Sequence, residues 1–387
     1  MLWPSRAVES SPGRFAPPHC PWAECPGHFR GSTVRFHRHG SFRTRCSSKA
    51  VPRFRCLDCH RTFSRQTFTC SYYLKRPGLP ACVAAGLQAG SAHRQIARTL
   101  GCAPSTVTRL SARLGRHALL LLAQTLENVH SIGEPIAVDH FETFEFSQDF
   151  PVGVATVVGR DSWFVYGIDP APHRRAGRVS PAQKQRLKGR PPRESHGGYP
   201  SSFGRVLDLL ARRAAPTQPL HLLTDGHPAY RQAHARHRWK QRVQLHEFPN
   251  PKQRGPKGSA RSREAIDRDR ALFAVDVLHG LLRHSAAHHR RETIAFGRRL
   301  NAVVERMFLT AIWRNFVKGR SERRPDPNTP AMGLGLAWEP WSWPRVFAKR
   351  LFPWKVRVPE GWMRVYRREW TTPVVGRNDR HELKNAY

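Results

Sequence analysis

Residues 136–169, IAVDHFETFEFSQDFPVGVATVVGRDSWFVYGID, decide the fold. The segments IAVDHFETFEF, VGVATVVGR and SWFVYGID are rich in β-branched and aromatic residues and have turn residues between them. They read as three successive antiparallel strands. Downstream, 203–213 has helical periodicity, LHLLTDGHPAY (220–230) is a buried strand ending in a turn, and VQLHEFP (243–249) is a further strand. Two more helical stretches follow, at about 262–284 and 293–317. The order β-β-β-α-β-α-β describes an α/β domain over 132–320. Two basic, Pro- and Gly-bearing stretches interrupt it, an insertion at 171–198 and a linker at 250–261.

Three acids within this domain form a set. Asp139 ends the apolar run IAVD, Asp225 ends LHLLTD, and Glu305 lies in the helical stretch RRLNAVVERMF. Two carboxylates on neighbouring strands and a third on a helix against the sheet can hold two divalent ions about 3.5 to 4 Å apart, and Mg²⁺ or Mn²⁺ suits such hard oxygen ligands. One lone Asp at a strand end is more often a solvated or capping group, so the weight rests on the set. Glu142, Glu145 and Asp149 compete for the first position and Glu292 for the third. Asn301 is a candidate support behind the metal ligands, and Arg306 and Arg314 are candidate phosphate contacts.

The N-terminal third has a different texture. All eight cysteines lie in the first 102 of the 387 residues. Cys20 and Cys25 make a C-x4-C pair, Cys56 and Cys59 a C-x2-C pair, and 30 residues separate the pairs. Two such knuckles complete the four thiolates of a structural zinc ribbon, expected over 19–75. His19, His28, Cys46 and His60 are possible substitute ligands, whereas Cys70, Cys82 and Cys102 lack a paired partner and read as small core residues. Residues 76–128 read as helical. In SAHRQIARTLGCAPSTVTRLSARL (91–114), Ile96, Ala97 and Leu100 form one apolar face and Gly101 allows a sharp turn. Ser105 can cap a second helix that carries Val107 and Leu110 inward. This is the helix-turn-helix pattern, with Thr106, Thr108, Arg109 and Arg113 facing outward toward DNA.

Charge points to the same kind of partner. Sixty-five Lys and Arg against 28 Asp and Glu give a formal charge of +37, spread along the chain. That excess exceeds what solubility needs and favours a polyanion, with nucleic acid preferred to a membrane surface. The lead at 1–18 reads as disordered and contains no secretory apolar core, and the longest apolar run, within RHALLLLAQ, is far shorter than the about 18 residues of a membrane span. A soluble, cytoplasmic protein is expected. The segment 321–387 carries Trp338, Trp341, Trp343, Trp354, Trp362 and Trp370 among basic residues, and packing against the α/β domain is preferred to base stacking.

On CPWAEC, RFRCLDCHRTFS, VDHFET, LLTDGHPAY and RRLNAVVERMF, the chain from Cys20 to about residue 320 resembles the insertion-sequence transposases of prokaryotes. These join a zinc ribbon and a helix-turn-helix to a DDE catalytic domain of ribonuclease H-like α/β/α fold. The resemblance implies that Asp139, Asp225 and Glu305 are the catalytic, magnesium-binding acids and that Cys20, Cys25, Cys56 and Cys59 are the zinc ligands. It also implies double-stranded DNA partners, transposon ends and target, handled by a homo-oligomer. One departure stands out: many relatives carry Lys or Arg seven residues after the Glu, where this chain has Ile312. Two rival readings share these features, a DNA-binding regulator with an inactive core and a nuclease without strand transfer.

Overall fold

A computed structural model describes residues 15–375 apart from residue 30 and residues 45–46, 176–178, 190–196, 216–217, 252–259 and 323–324. Most of the expected disordered lead, parts of the basic insertion, most of the 250–261 linker, and Cys46 lie outside the described residues.

The paired cysteines sit in a small antiparallel sheet of β1 (Phe36–Thr44), β2 (Ser47–Cys56) and β3 (Thr62–Ser64), in that order. Its core is Cys20, Cys25, Phe54, Cys56 and Phe63, with Phe15, Phe36 and Phe68 against it. So little apolar surface needs a further cross-link to hold a fold.

Three helices follow: α1 (Leu79–Gln88), α2 (His93–Thr99) and α3 (Pro104–Glu127). Gly101 turns the chain between α2 and α3 with φ of +56°, which only a residue without Cβ adopts cheaply. Ile96, Ala97, Val107 and Leu110 are buried between the helices. Two expectations need correction. Ala103 is the N-cap of α3 with Pro104 in its first turn, so Ser105 lies inside the helix rather than capping it. And α3 is far longer than a recognition helix requires, buried on every side from Leu110 to Ala123. A helix with no polar stripe needs partners all round, and one of them is the late helix that carries Glu305.

The run that opened the reading forms β4 (Ile136–Phe144), β5 (Pro151–Gly159) and β6 (Val165–Pro172), antiparallel along their length. The short α4 (Pro181–Lys188) lies inside the basic insertion, and then come α5 (Gly198–Ala211), β7 (Leu220–Thr224), α6 (Pro228–Arg236), β8 (Val243–Glu247) and α7 (Arg263–Ser285). The sheet order is β6-β5-β4-β7-β8, with β7 parallel to β4 and β8 parallel to β7. β5 and β6 are buried residue after residue, so both faces of the sheet must be covered. Alternation along β4 shows by what. His140 points to Ser202 and Tyr230, in α5 and α6, whereas its neighbours Asp139 and Phe141 point to His279 of α7.

α8 (Leu300–Ile312) starts later than its periodicity suggests and ends in a single π turn, Trp313–Val317. From that turn Asn315 pairs with the edge of β6, accepting from Val165 N–H at 2.8 Å and donating to Val165 O at 3.0 Å, as another strand would. On its other side α8 packs so closely on α3 that a Cβ at Gly115 would lie 2.5 Å from Glu305 O.

The chain after 321 contains short helices, α9 (Pro330–Gly333), α10 (Trp343–Val346) and α11 (Glu360–Tyr366), and acts as a strap. Arg350 N–H donates to Phe68 O beside the cysteine sheet (3.0 Å), His117 of α3 pairs with Val346 O (2.9 Å), and Asn301 of α8 donates to Trp370 O (2.7 Å). Trp362 and Trp370 are buried, while Trp338 and Trp354 are exposed. Among the described residues no helix is long and apolar enough to cross a membrane.

Candidate metal centres and nucleic-acid interface

The first candidate centre is the cysteine cluster. Cys20 and Cys25 flank a turn closed by Cys20 N–H to Gly27 O and His28 N–H to Cys25 O, each 2.9 Å. Cys56 ends β2 and donates its N–H to Arg61 O (3.1 Å), which brings Cys59 back toward it. The Cys20–Cys59 and Cys25–Cys56 sulfurs are 3.7 and 3.6 Å apart, and all four lie within 4.8 Å of one another. Four Zn–S bonds of about 2.3 Å in a tetrahedron set sulfurs about 3.8 Å apart, so the set fits zinc. Burial pushes the Cys20 and Cys25 thiols up. Cys56 is buried too, but the backbone N–H groups of Cys59 and Asp58 aimed at its sulfur bring it below the ordinary thiol range. A cation at their centre would hold all four buried sulfurs as thiolates. The described substitute ligands are engaged elsewhere or exposed: His19 and His28 both turn Nδ1 to Cys20 O, at 2.9 and 2.6 Å, and His60 is exposed. Of the three other described cysteines, Cys70 is buried against His117 and Cys102 is half-buried, but Cys82 is exposed, contrary to the core role expected for it.

The second candidate centre lies where β4 and β7 run side by side. Ala137 is level with Leu223 at the last paired position, and two residues beyond these come Asp139, still in β4, and Asp225, just past the end of β7. Asp139 Oδ1 accepts from His140 N–H at 2.7 Å and from the Tyr230 hydroxyl at 3.4 Å. Burial, then the charges of Asp225 and Asp276, push its carboxyl up to about 7, against the opposing pull of His140 N–H and Arg268. Asp276 was not foreseen as a site residue. It comes from α7, as do His279 and Arg268, which also face Asp139. His279 Nδ1 is 3.8 Å from Asp139 Oδ2, and its Nε2 is 2.8 Å from Thr156 Oγ1. The Thr156 hydroxyl spends its one proton on Asp139 O (3.0 Å), so Nε2 carries the imidazole proton and Nδ1 is left with a lone pair. Burial, then Arg283 and Arg268, lower the His279 pKa to about 3, so the ring is neutral. Two electron-pair donors therefore face each other across 3.8 Å, an arrangement that a proton or a cation satisfies. Arg268 donates twice to Asp276, the longer bond being 3.3 Å.

Glu305 is not part of this group. Its carboxylate is fully buried in a two-pronged pair with Arg368, whose Nε and Nη2 donate at 2.8 and 2.6 Å. The reason is the position of α8, along the β6 edge and against α3, two strands away from β4. The expected supporting roles go with it: Asn301 is engaged with Trp370 O, and Arg306 and Arg314 are buried, donating to Ala302 O and Gly319 O. Burial lowers both guanidiniums to about 10. Neither has a surface to offer a phosphate. Among the competitors, Glu145 is buried and accepts from the Thr372 hydroxyl, Asp149 is buried, and Glu142 and Glu292 are exposed. A signal for Asp276 was present: α7 is the first helix after the last strand, and Arg283 stands seven residues beyond Asp276, the spacing absent after Glu305. Among the described residues only the cysteine set brings three ligand atoms within 4.8 Å, so the three aspartates stand less closely gathered than the sulfurs.

The start of α3 is the third candidate site. Arg109 is exposed, as are Arg94 and Arg98 across the turn on α2. Thr106 is half-buried, and the Thr108 hydroxyl donates to Pro104 O (3.1 Å) and lies 3.1 Å from His93 Nδ1. Arg113 departs from expectation: it is buried and donates to Cys70 O (3.2 Å) and Tyr72 O (2.8 Å), tying α3 to the end of the cysteine module.

Over 91 residues at the N-terminal end, the chain is 33% identical to "Insertion element iso-IS1N protein InsA" of Shigella dysenteriae. The match covers 24% of this chain and 83% of that protein. No family model matches the chain.

Proposed function

Through its N-terminal quarter the chain belongs to the insertion-element InsA family, and on that premise we propose that the whole is a transposase, with the cysteine and helical modules binding element ends and the sheet domain performing DNA phosphoryl transfer. The observation that carries the proposal is the pair Asp139, in β4, and Asp225, directly after the parallel neighbour β7, with Asp276 of the helix after the last strand adding its charge beside Asp139. We assign the third acid to Asp276 in place of Glu305. The order β6-β5-β4-β7-β8, three antiparallel strands then two parallel ones between helical layers, supports the ribonuclease H-like reading of this domain.

Divalent Mg²⁺ or Mn²⁺ bound to these carboxylates would supply the Lewis acid that polarises the scissile phosphate and lowers the pKa of the attacking water or 3′-hydroxyl. The chain's own groups orient the acids. His140 N–H and Tyr230 fix Asp139 Oδ1, while Thr156 fixes the tautomer of His279 so that its lone pair joins Asp139 Oδ2. The Arg268 guanidinium on Asp276 must turn away for that carboxylate to serve. This pair is also the one observation that favours a DNA-binding regulator with an idle core. At the N-terminal end, Arg94, Arg98 and Arg109 are exposed for phosphate contact.

The test uses the full chain, Mg²⁺ or Mn²⁺, and a labelled duplex of the DNA flanking this gene. Nicking and strand joining are expected, lost in Asp139→Asn, Asp225→Asn and Asp276→Asn. Binding without cutting under all conditions would leave the regulator reading. Full activity in Asp276→Asn would overturn the assignment of the third acid.

A further inference from the structure

Beyond Arg53 the cysteine sheet loses its third strand, because β3 pairs with β2 only from Arg53 to Arg55. What projects from there is a two-stranded hairpin of β1 and β2. β1 is nine residues long, about 30 Å at the rise of an antiparallel strand. Its residues from His37 to Arg43 are all exposed. An exposed two-stranded ribbon buries too little to justify itself by stability.

Its charge is of one sign. His37 stands opposite Arg55 and Arg38 opposite Phe54, with a register shift between Arg38 and Ser41 at Gly40, whose φ is +71°. Cross-strand partners share a face, so His37, His39, Arg53 and Arg55 line the face opposite to Phe54, with Arg53 half-buried beside Thr62 Oγ1 (3.4 Å) and Arg55 giving one N–H to His60 O (3.1 Å), while Arg38 is exposed on the Phe54 face and Arg43 is exposed as well. From 15 to 64 the only acids are Glu24 and Asp58, and these sit beside Arg61 (3.7 Å) and Arg35 (2.6 Å) at the cysteine end. No carboxylate neutralises the ribbon's own arginines within this module. A sheet edge dense in Arg also resists pairing with another strand, which leaves a polyanion as its fitting occupant.

We propose that this ribbon lies in the major groove of double-stranded DNA, with Arg38, Arg53 and Arg55, at its three-stranded base, on the flanking phosphates. The B-form groove, about 12 Å wide, admits a two-stranded ribbon, while the deep, narrow major groove of A-form RNA does not. The four-cysteine cluster at the base would set the angle of the arm. This inference rests on the DNA-binding part of the proposed function and not on catalysis.

The test compares the wild-type full chain with Arg38→Ala/Arg53→Ala/Arg55→Ala and with the same three positions changed to Lys. Zinc content is measured for each, and binding to a 40-bp DNA duplex is followed by anisotropy from about 0.1 to 0.4 M NaCl without added divalent ions. Losing three phosphate contacts should make the slope of log K against log [NaCl] shallower by about 2.7, so that the wild-type advantage shrinks about sixfold between about 0.1 and 0.2 M. The Lys variant should keep the slope. A triple-Ala variant with full zinc content and wild-type slope overturns the proposal, as does equal wild-type affinity for a double-stranded RNA of the same sequence. A chain that binds through the ribbon yet never cuts would remove the transposase reading and leave this one standing.

Discussion

Replacing Asp139 by Asn should stabilise the metal-free protein, and by more as the pH rises. The carboxyl is held at about 7 against an ordinary 3.8. Since the folded value lies above the unfolded one, the folded chain grips the proton harder. Below about pH 4 the group is neutral in both states and burial costs nothing, while above about pH 7 the full penalty applies. A shift of about three units at 1.36 kcal/mol each is about 4 kcal/mol at pH 8, and about 2 kcal/mol at pH 5. The Asn variant keeps an oxygen for His140 N–H and Tyr230, and it sets an amide N–H toward the lone pair of His279 Nδ1, now 3.8 Å from Asp139 Oδ2. At an unfolding entropy of about 2.1 cal/mol/K per residue, about 4 kcal/mol corresponds to a gain in Tm of about 5 °C for a chain of this length. The assay is differential scanning calorimetry of both proteins from pH 5 to 8.5, with and without Mg²⁺ at about 10 mM. The gap should widen with pH and narrow when the ion is added, because only the wild type has an anionic site for it to stabilise. A gap that does not vary with pH, or a wild type that is the more stable at pH 8, refutes the reasoning.

Glu305→Gln leaves the Arg368 guanidinium buried without its counter-charge and should cost about 3 to 5 kcal/mol, read as a lowered Tm that added Mg²⁺ does not restore. Cys56→Ser should abolish zinc binding in a colorimetric release assay and open the cysteine sheet to proteolysis, whereas Cys82→Ser should change neither. Arg109→Ala should make the salt dependence of DNA affinity shallower by about one contact without lowering Tm. Arg113→Ala should do the reverse, because its guanidinium serves Cys70 O and Tyr72 O rather than a phosphate.

What could be read from the residues was whatever local chemistry dictates. The spacing of Cys20, Cys25, Cys56 and Cys59 is a statement about sulfur positions, and the sulfurs do converge. The β-branched runs from 136 to 172 form strands, and Asp139 and Asp225 each come two residues beyond the last paired position because each follows an apolar run that becomes a neighbouring strand. The misreadings concern partners distant in sequence. Glu305 in an apolar helix looked like a site residue, yet its partner is Arg368, 63 positions later. Asp276 sits among the charges of REAIDRDRALFAVDVLHGLLRHS and resembles one more solvated acid until the helix is seen to lie on β4. Arg113 has the phase of a base-reading residue only if α3 ends early. Once the helix continues into the core, that position turns toward residues 70–72.

The strap has a bearing on the order in which the molecule can be completed. Trp362, Trp370 and Arg368 fill spaces between elements made long before them. While the chain is being synthesised from its N-terminus, the cysteine ribbon can close as soon as residue 64 has emerged. The sheet domain meanwhile waits with a buried acid unmatched and two indole sockets empty. The cysteine sheet is thus available early, whereas α3, α8 and the sheet domain are completed only when the strap has closed over them. A released chain ending at residue 340 should therefore protect the cysteine sheet from protease and leave α8 exposed to it.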